Sequence, residues 1–346
     1  PVLHSLASAS TITWLIHQKF ELSIPLYRQE KEWEALGLRL SRATMSNWLL
    51  VVYRDWLVHI VHRLKLELLK QRYLHIDETH VQVLKEPGRK NTSDSYMWVY
   101  CSIRDAVNPI RYFEYQPGRS GKYPEAFLRE YEGYIHTDAY SGYNAVSGVK
   151  RCLCYTHLRR AFVDALPKDI HNSEASKPAE AILRLNQLFN IESELEAFPP
   201  DQKKKERLIR EKPLLEAFWS WAEKSAIGEL PKSKLSKAFH YALNNREGFW
   251  NYLEDGNCSI SNSLAENCIR PFVIGRKNWL FSGSPKGAEA SAGIYTLVET
   301  AKANGLAPMK YIKYILSDMP GSAFLEHPEY LDDYLPWNPL VKEFCR

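Results

Sequence analysis

The acids Asp77 and Glu78 stand side by side in YLHIDETHVQVL (73–84), whose alternation of apolar and polar residues predicts a β-strand. Acidic residues are poor strand formers, so an adjacent pair in mid-strand suggests chemistry rather than folding. A second acid, Asp138 in GYIHTDAYSGYN, ends an apolar strand pattern ahead of a Gly-containing turn, and a third, Glu266, lies in SNSLAENCIRP. Each has a structural reading as well: Asp138 fits an Asx turn, and Ser263-Leu264-Ala265-Glu266 fits a helix capping box. Two aspartates at strand ends and a glutamate on a later helix can converge at one sheet edge. Three carboxylates there repel one another unless cations neutralise them. Oxygen-only donors suit Mg2+ or Mn2+, and two such ions support in-line phosphoryl transfer. The complementary feature follows directly: Asn267 to Ala288 contains no acid but carries Arg270, Arg276, Lys277 and Lys286, with aromatic residues among them. Cations and aromatic rings of this kind can meet phosphates and bases.

These residues need elements to position them. Residues 8–70 have helical character, broken at Ser23-Ile24-Pro25 and around Gly37. A helix ending at Gly37, a short turn and a helix capped by Ser41 give either a helix-turn-helix outline or a plain helical hairpin. WLVHIVHRLKLELLK reads as a packing helix. From residue 73 the period changes to two. YLHIDETHVQVL, SYMWVYCSI, IRYFEYQ, GYIHTD and VKRCLCY predict five strands, with the helix PEAFLREYEG before the fourth, and that order suggests a mixed α/β sheet. Residues 158–255 return to helical character, and KKKERLIREK (203–212) reads as a solvated helix face. SNSLAENCIRPFVIGRKNWLFSGS reads as a helix start followed by a basic loop, and ASAGIYTLVETAKAN as a helix ended by Gly305.

The chain has 346 residues, 45% hydrophobic and 25% charged, which excludes long disordered tails. It lacks the roughly 18-residue apolar run of a membrane span. Its first residues do not have the pattern of a signal peptide; because they open at Pro1 rather than Met, further natural sequence is expected upstream. Six cysteines without framework spacing point to reduced thiols and a cytoplasmic location. The net charge of +4 permits nucleic acid as a partner without requiring it.

Together, YLHIDETHVQVL, SYMWVY, YIHTDAYSGYN, CYTHLRRAF, SLAENCIRPFVIGRKNWLFSGSPKGAEA and LVETAKANGL resemble the transposases of the insertion sequence 66 family, in that family's order. The resemblance implies a ribonuclease-H-like mixed five-stranded sheet with flanking helices, a helical N-terminal region and a helical insertion between the second Asp and the Glu. It also implies an Asp-Asp-Glu triad of Asp77, Asp138 and Glu266, binding two ions of Mg2+ or Mn2+. The corresponding domains are 1–70, a possible DNA-binding region; 71–160, the first part of the catalytic domain; 161–258, the helical insertion; and 259–346, the rest of the catalytic domain with the C-terminal helices. Asp77 would project from the first strand, with Glu78 on its other face.

The activity implied is metal-dependent cleavage at the ends of a mobile DNA element and joining of the 3′ ends to target DNA. A homodimer on DNA, accessory proteins of the same element and association with the bacterial nucleoid come with it. Cys154-Tyr155-Thr156-His157 resembles a Cys-x-x-His signature that would set His157 near the scissile phosphate, with Arg159 and Arg160 on the DNA backbone; a strand-to-helix junction with a buried thiol fits the same residues. A zinc site from Cys152, Cys154 and His157 lacks a fourth ligand nearby. Arg270, Arg276, Lys277, Asn278 and Trp279 are expected at the DNA ends. Where the family reads Asp-Asn-Asn and Glu-Arg, this chain has Ser261-Asn262-Ser263 and Glu266-Asn267, which motivates a second reading, an inactive derivative that still binds DNA.

Overall fold

In the computed structural model, which describes residues 2, 5, 7–167 and 176–346, the first helices are punctuated where the sequence places its breaks. Helix α1 (Ala9–Ile16) runs on to a break at Ser23 and Pro25, and α2 (Leu26–Ala35) ends at Gly37. Gly37 has φ +85°, where only glycine is unstrained, and it closes a Schellman motif: the Leu38 amide donates to Trp33 O at 2.9 Å and the Gly37 amide to Glu34 O at 3.0 Å. Ser41 then caps α3 (Arg42–Val52), its Oγ accepting from the Thr44 amide at 3.1 Å. Helix α4 (Val58–Leu69) buries Ile60, Val61, Leu64 and Leu68, one stripe at helical spacing.

The remaining elements follow in order: β1 (Tyr73–Val83), β2 (Asp94–Ser102), β3 (Arg111–Gln116), α5 (Lys122–Phe127), β4 (Gly133–Thr137), β5 (Val149–Leu153) and α6 (Tyr155–Val163). Then come α7 (Lys177–Glu194), α8 (Pro200–Glu206), α9 (Lys212–Ala226), α10 (Lys234–Asn244) and α11 (Arg246–Trp250). The chain finishes with α12 (Ser263–Trp279), β6 (Phe281–Ser282), α13 (Pro285–Ala303), α14 (Pro308–Asp318) and α15 (Pro339–Cys345). The protein is mixed α/β. All five expected strands are present, and the two-residue β6 is a sixth. No helix among the described residues is long and apolar enough to cross a membrane.

The chain divides into two compact units. The first comprises Pro1–Gln71, His75–Leu128 and Leu264–Arg346. In it β2 pairs antiparallel with β3, Trp98 facing Glu114, and β6 adds in parallel to the end of β1, Gln82 beside Phe281. Helix α13 organises this unit. It is buried nearly all round, and a Cβ on Gly293 would fall 2.1 Å from the Tyr53 ring, so glycine is required for the close approach. Strand β3 ends its sheet. Its outward amides are capped by α13: Phe113 N–H donates to Thr296 Oγ1 at 2.8 Å and Arg111 N–H to Thr300 Oγ1 at 3.0 Å. The two threonines are one helical turn apart, which matches the spacing of alternate strand residues closely enough for both bonds to form.

The second unit comprises Arg72–Leu74 and Arg129–Ser263. Strands β4 and β5 are parallel, His136 beside Cys152, and the Tyr134 amide donates to Arg72 O at 2.8 Å. Helices α6 to α11 bear out the helical reading of 158–255 at its described residues, 168–175 lying outside them, and their core includes Phe162, Phe218, Trp219, Phe239 and Phe249. The expectation of a fully solvated face over 203–212 is corrected at two positions, because Arg207 and Glu211 are buried. All five guanidinium hydrogens of Arg207 find acceptors: Nε and Nη2 bind the Glu192 carboxylate at 2.6 and 2.8 Å, Nη1 binds Tyr252 O and Asp255 O, and Nη2 also binds Cys258 O at 2.8 Å. The ion pair is therefore internally satisfied, which is what lets an arginine sit in a core.

Two expected outcomes follow from these contacts. Thr296→Val keeps the shape but leaves the buried Phe113 amide without its acceptor, so it should cost about 1–3 kcal/mol in urea unfolding. Burial, then the Glu192 charge, pushes Glu211 up to about 8 from the usual 4.5. Its contribution to stability is complete below pH 4.5 and is lost as pH rises through 8. The urea midpoint should accordingly fall across that window, and Glu211→Gln should flatten the fall.

Candidate functional site

In the first unit the adjacent acids of β1 have different surroundings. Glu78 is 1% exposed at its side chain and ion-paired through Oε1 with Arg119 Nε at 2.6 Å, Arg119 coming from the QPGRSG turn ahead of α5. Asp77 is half-buried, and its Oδ1 accepts the Glu78 amide at 2.9 Å. On the neighbouring β2, the Cys101 thiol is pushed well up by burial, then by its hydrogen bond with Cys268 and, more weakly, by the Asp77 charge. Cys268 belongs to α12, two residues after Glu266. Thus β1, β2 and the start of α12 meet around Cys101. One carboxylate oxygen of Glu266, on α12, is buried.

The capping-box geometry is not the one expected. Ser263 is the first helical residue rather than the N-cap, and its hydroxyl shares a 3.0 Å hydrogen bond with Ser261 Oγ. The expected basic loop is also corrected: α12 continues through Pro271 to Trp279, burying Ala265, Ile269, Phe272 and Gly275. Leu280, at φ +65°, ends it. A proline inside a helix usually breaks it, yet this apolar stripe is enough to hold the helix together.

The basic side chains therefore project from a helix end. Arg276 Nη1 donates to Thr79 Oγ1 at 3.1 Å, two residues along the same strand face from Asp77. Burial holds this guanidinium below the usual arginine range. Arg270, Lys277 and Asn278 are exposed, whereas Trp279 turns inward, its ring edge-on to Phe272 at 5.3 Å.

In the second unit Asp138 follows β4 directly, and its Oδ1 accepts the Tyr140 amide at 2.9 Å, the Asx turn expected as its structural role. The sequence reading missed the residue that pins this loop. Arg151 of β5 donates to Thr137 Oγ1 at 2.7 Å, Asp138 O at 2.6 Å and Tyr140 O at 2.8 Å. Its position two residues ahead of Leu153 in VKRCLCY offered no signal beyond its charge.

Cys154 caps α6, which carries His157, Arg159 and Arg160. Burial pushes the Cys154 thiol up, but hydrogen bonds with His157 and from the Asn262 amide, at 3.1 Å, outweigh it and leave the thiol below its usual range. Asn262, the retained asparagine of Ser261-Asn262-Ser263, is buried. Arg159 is turned onto α7 through Asn186 Oδ1 at 2.7 Å, while Arg160 is exposed.

Residues 4–290 match the model of the family described as "Transposase IS66 family". The chain is 28% identical over 350 residues to the uncharacterized protein y4qI of Sinorhizobium fredii, covering 94% of this chain and 62% of the relative. It is 26% identical over 344 residues to y4hP of the same organism, covering 93% and 60%, and 25% identical over 347 residues to y4jD, covering 96% and 66%. It thus spans a little under two thirds of the length of these relatives.

The ion pair of Glu78 gives a direct test of what this acid contributes to the fold. Glu78→Ala removes the carboxylate that accepts from Arg119 Nε and should cost about 1–3 kcal/mol in urea unfolding.

Proposed function

Given that the chain belongs to the IS66 transposase family, we propose that it cleaves the ends of a mobile DNA element and joins the 3′ ends to target DNA. The observation that carries the site assignment is the bond from Arg276, near the end of α12, to Thr79, which lies on the same face of β1 as Asp77. In this reading the fold is ribonuclease-H-like, and Asp77, Asp138 and Glu266 hold two divalent ions. Their donor set is carboxylate oxygen throughout, which fits Mg2+ or Mn2+. Bound there, such ions supply Lewis acidity and lower the pKa of an attacking water or hydroxyl.

The chain's own residues do the rest. Arg151 holds the turn that presents Asp138. The exposed Arg160 of the second unit and the exposed Arg270, Lys277 and Asn278 of the first contact DNA phosphates in this reading; His157 and Arg159 on α6, and Arg276 and Trp279 on α12, complete the set of DNA-facing candidates. Water is the first nucleophile and the 3′ hydroxyl the second, so the protein forms no covalent intermediate. A homodimer would bring two element ends together, with accessory proteins of the same element, in the bacterial cytoplasm at the nucleoid. The second reading, a DNA-binding derivative without cleavage, is favoured by Ser261 and Ser263, which bond to each other where the family has Asp and Asn.

Asp77→Ala, Asp138→Ala and Glu266→Ala should each abolish Mg2+-dependent cleavage of DNA carrying the element's ends and weaken calorimetric Mn2+ binding, with circular dichroism unchanged. Cleavage retained by either aspartate variant would overturn the assignment. DNA binding without cleavage in the wild type would establish the second reading.

A further inference from the structure

The second unit contains another donor cluster that the proposed reaction does not use. His136 of β4, Cys152 of β5 and Cys258, which follows α11, are all buried, and one imidazole nitrogen and the two sulfurs lie within 4.8 Å of one another. Parallel register explains the first pair, since His136 and Cys152 are direct neighbours across β4 and β5. Cys258 is brought in by the return of the chain from the helices, where Arg207 Nη2 holds its carbonyl at 2.8 Å.

The imidazole is already set in one tautomer. Its Nε2 accepts the Ser259 amide at 2.9 Å, so Nδ1 carries the proton and donates to Leu74 O at 3.2 Å. A backbone carbonyl on the far ring nitrogen is the arrangement that orients a metal-binding histidine and raises its basicity. Tetrahedral zinc with sulfur at 2.3 Å and nitrogen near 2.0–2.1 Å needs donor atoms about 3.6–3.8 Å apart, so donors within 4.8 Å of one another close by at most about 1 Å on binding.

We propose that His136, Cys152 and Cys258 form a zinc site of three protein ligands with one open position. Two sulfurs and an imidazole are softer than the carboxylates of the acidic site and select Zn2+ over Mg2+ or Mn2+. Zinc enters with loss of the two thiol protons and takes the Nε2 lone pair from the Ser259 amide, and a water completes the tetrahedron. The ion would join β4, β5 and the segment after α11, closing the helical segment at both ends, since Cys152 precedes α6 and Cys258 follows α11. The site is independent of the acids and of the DNA chemistry.

The test uses the 346-residue chain, produced with zinc in the medium and purified without chelator. Elemental analysis should find about one zinc per chain, retained on dialysis against Mg2+ and lost in Cys152→Ser and Cys258→Ser. Cys154→Ser and Cys268→Ser should keep it, as should Asp138→Ala. If the first two variants fail to fold, Co2+ reconstitution of the wild type decides the matter: thiolate-to-cobalt charge-transfer absorption, unchanged in Cys154→Ser and Cys268→Ser, supports the site. Wild type without zinc and without that absorption, or zinc retained in a folded Cys152→Ser or Cys258→Ser chain, would overturn it.

Discussion

Strand β3 ends its sheet, and the amides it would otherwise present are taken up by Thr296 and Thr300 of α13. An unpaired strand edge is a template for unwanted pairing, and buried amides without acceptors are costly. Covering the edge with a helix ordinarily excludes water but leaves the amides unsatisfied. Two threonines one turn apart do both jobs, because each hydroxyl can accept from the strand while Thr296 also donates back to Ala292 O within its own helix. The constraint reaches further along the chain. Helix α13 must lie close to β3 to make these bonds, which explains the glycine at 293 against Tyr53 and the run of small residues around it.

Two side chains that carry charge out of water, Glu78 and Arg207, do so with partners. Glu78 is buried in unit one with Arg119, and Arg207 is buried in unit two with Glu192 and three carbonyls. Each removes a charge from water only where partners satisfy it. Arg207 also fixes the direction in which the chain leaves the helices, through the carbonyls of Tyr252, Asp255 and Cys258. That segment leads to Asn262, whose amide reaches the Cys154 sulfur. A positional role for the helical segment, holding the return of the chain toward α12, is thus visible in its hydrogen bonds alone.

Much of the architecture was legible from local signals. The turn at Gly37, the Ser41 cap, the five strands and the end of α13 at Gly305 depend on residues close in sequence, where turn chemistry and periodicity act directly. The helix through Pro271 was not, because its stability comes from an apolar stripe packed on distant elements, which outweighs the local cost of the proline. Arg207 and Glu211 were misread for the same reason: in KKKERLIREK nothing distinguishes a buried arginine from its solvated neighbours until Glu192, Tyr252 and Cys258 arrive from elsewhere.

The candidate acids divide along the same line. Their residue types, their places at a strand, a strand end and a helix, and the acid-free basic stretch after Glu266 are properties of the sequence, and together with the family resemblance they made Asp77, Asp138 and Glu266 candidates. That Glu78 pairs with Arg119, that Arg151 pins the Asp138 turn, that Trp279 faces inward, and that His136 and Cys152 are cross-strand neighbours with Cys258 beside them were decided only by tertiary structure. The physical reason is that hydrogen bonds, ion pairs and metal coordination depend on atoms a few ångströms apart, and residues separated by tens to hundreds of positions come within that range only when the chain has folded.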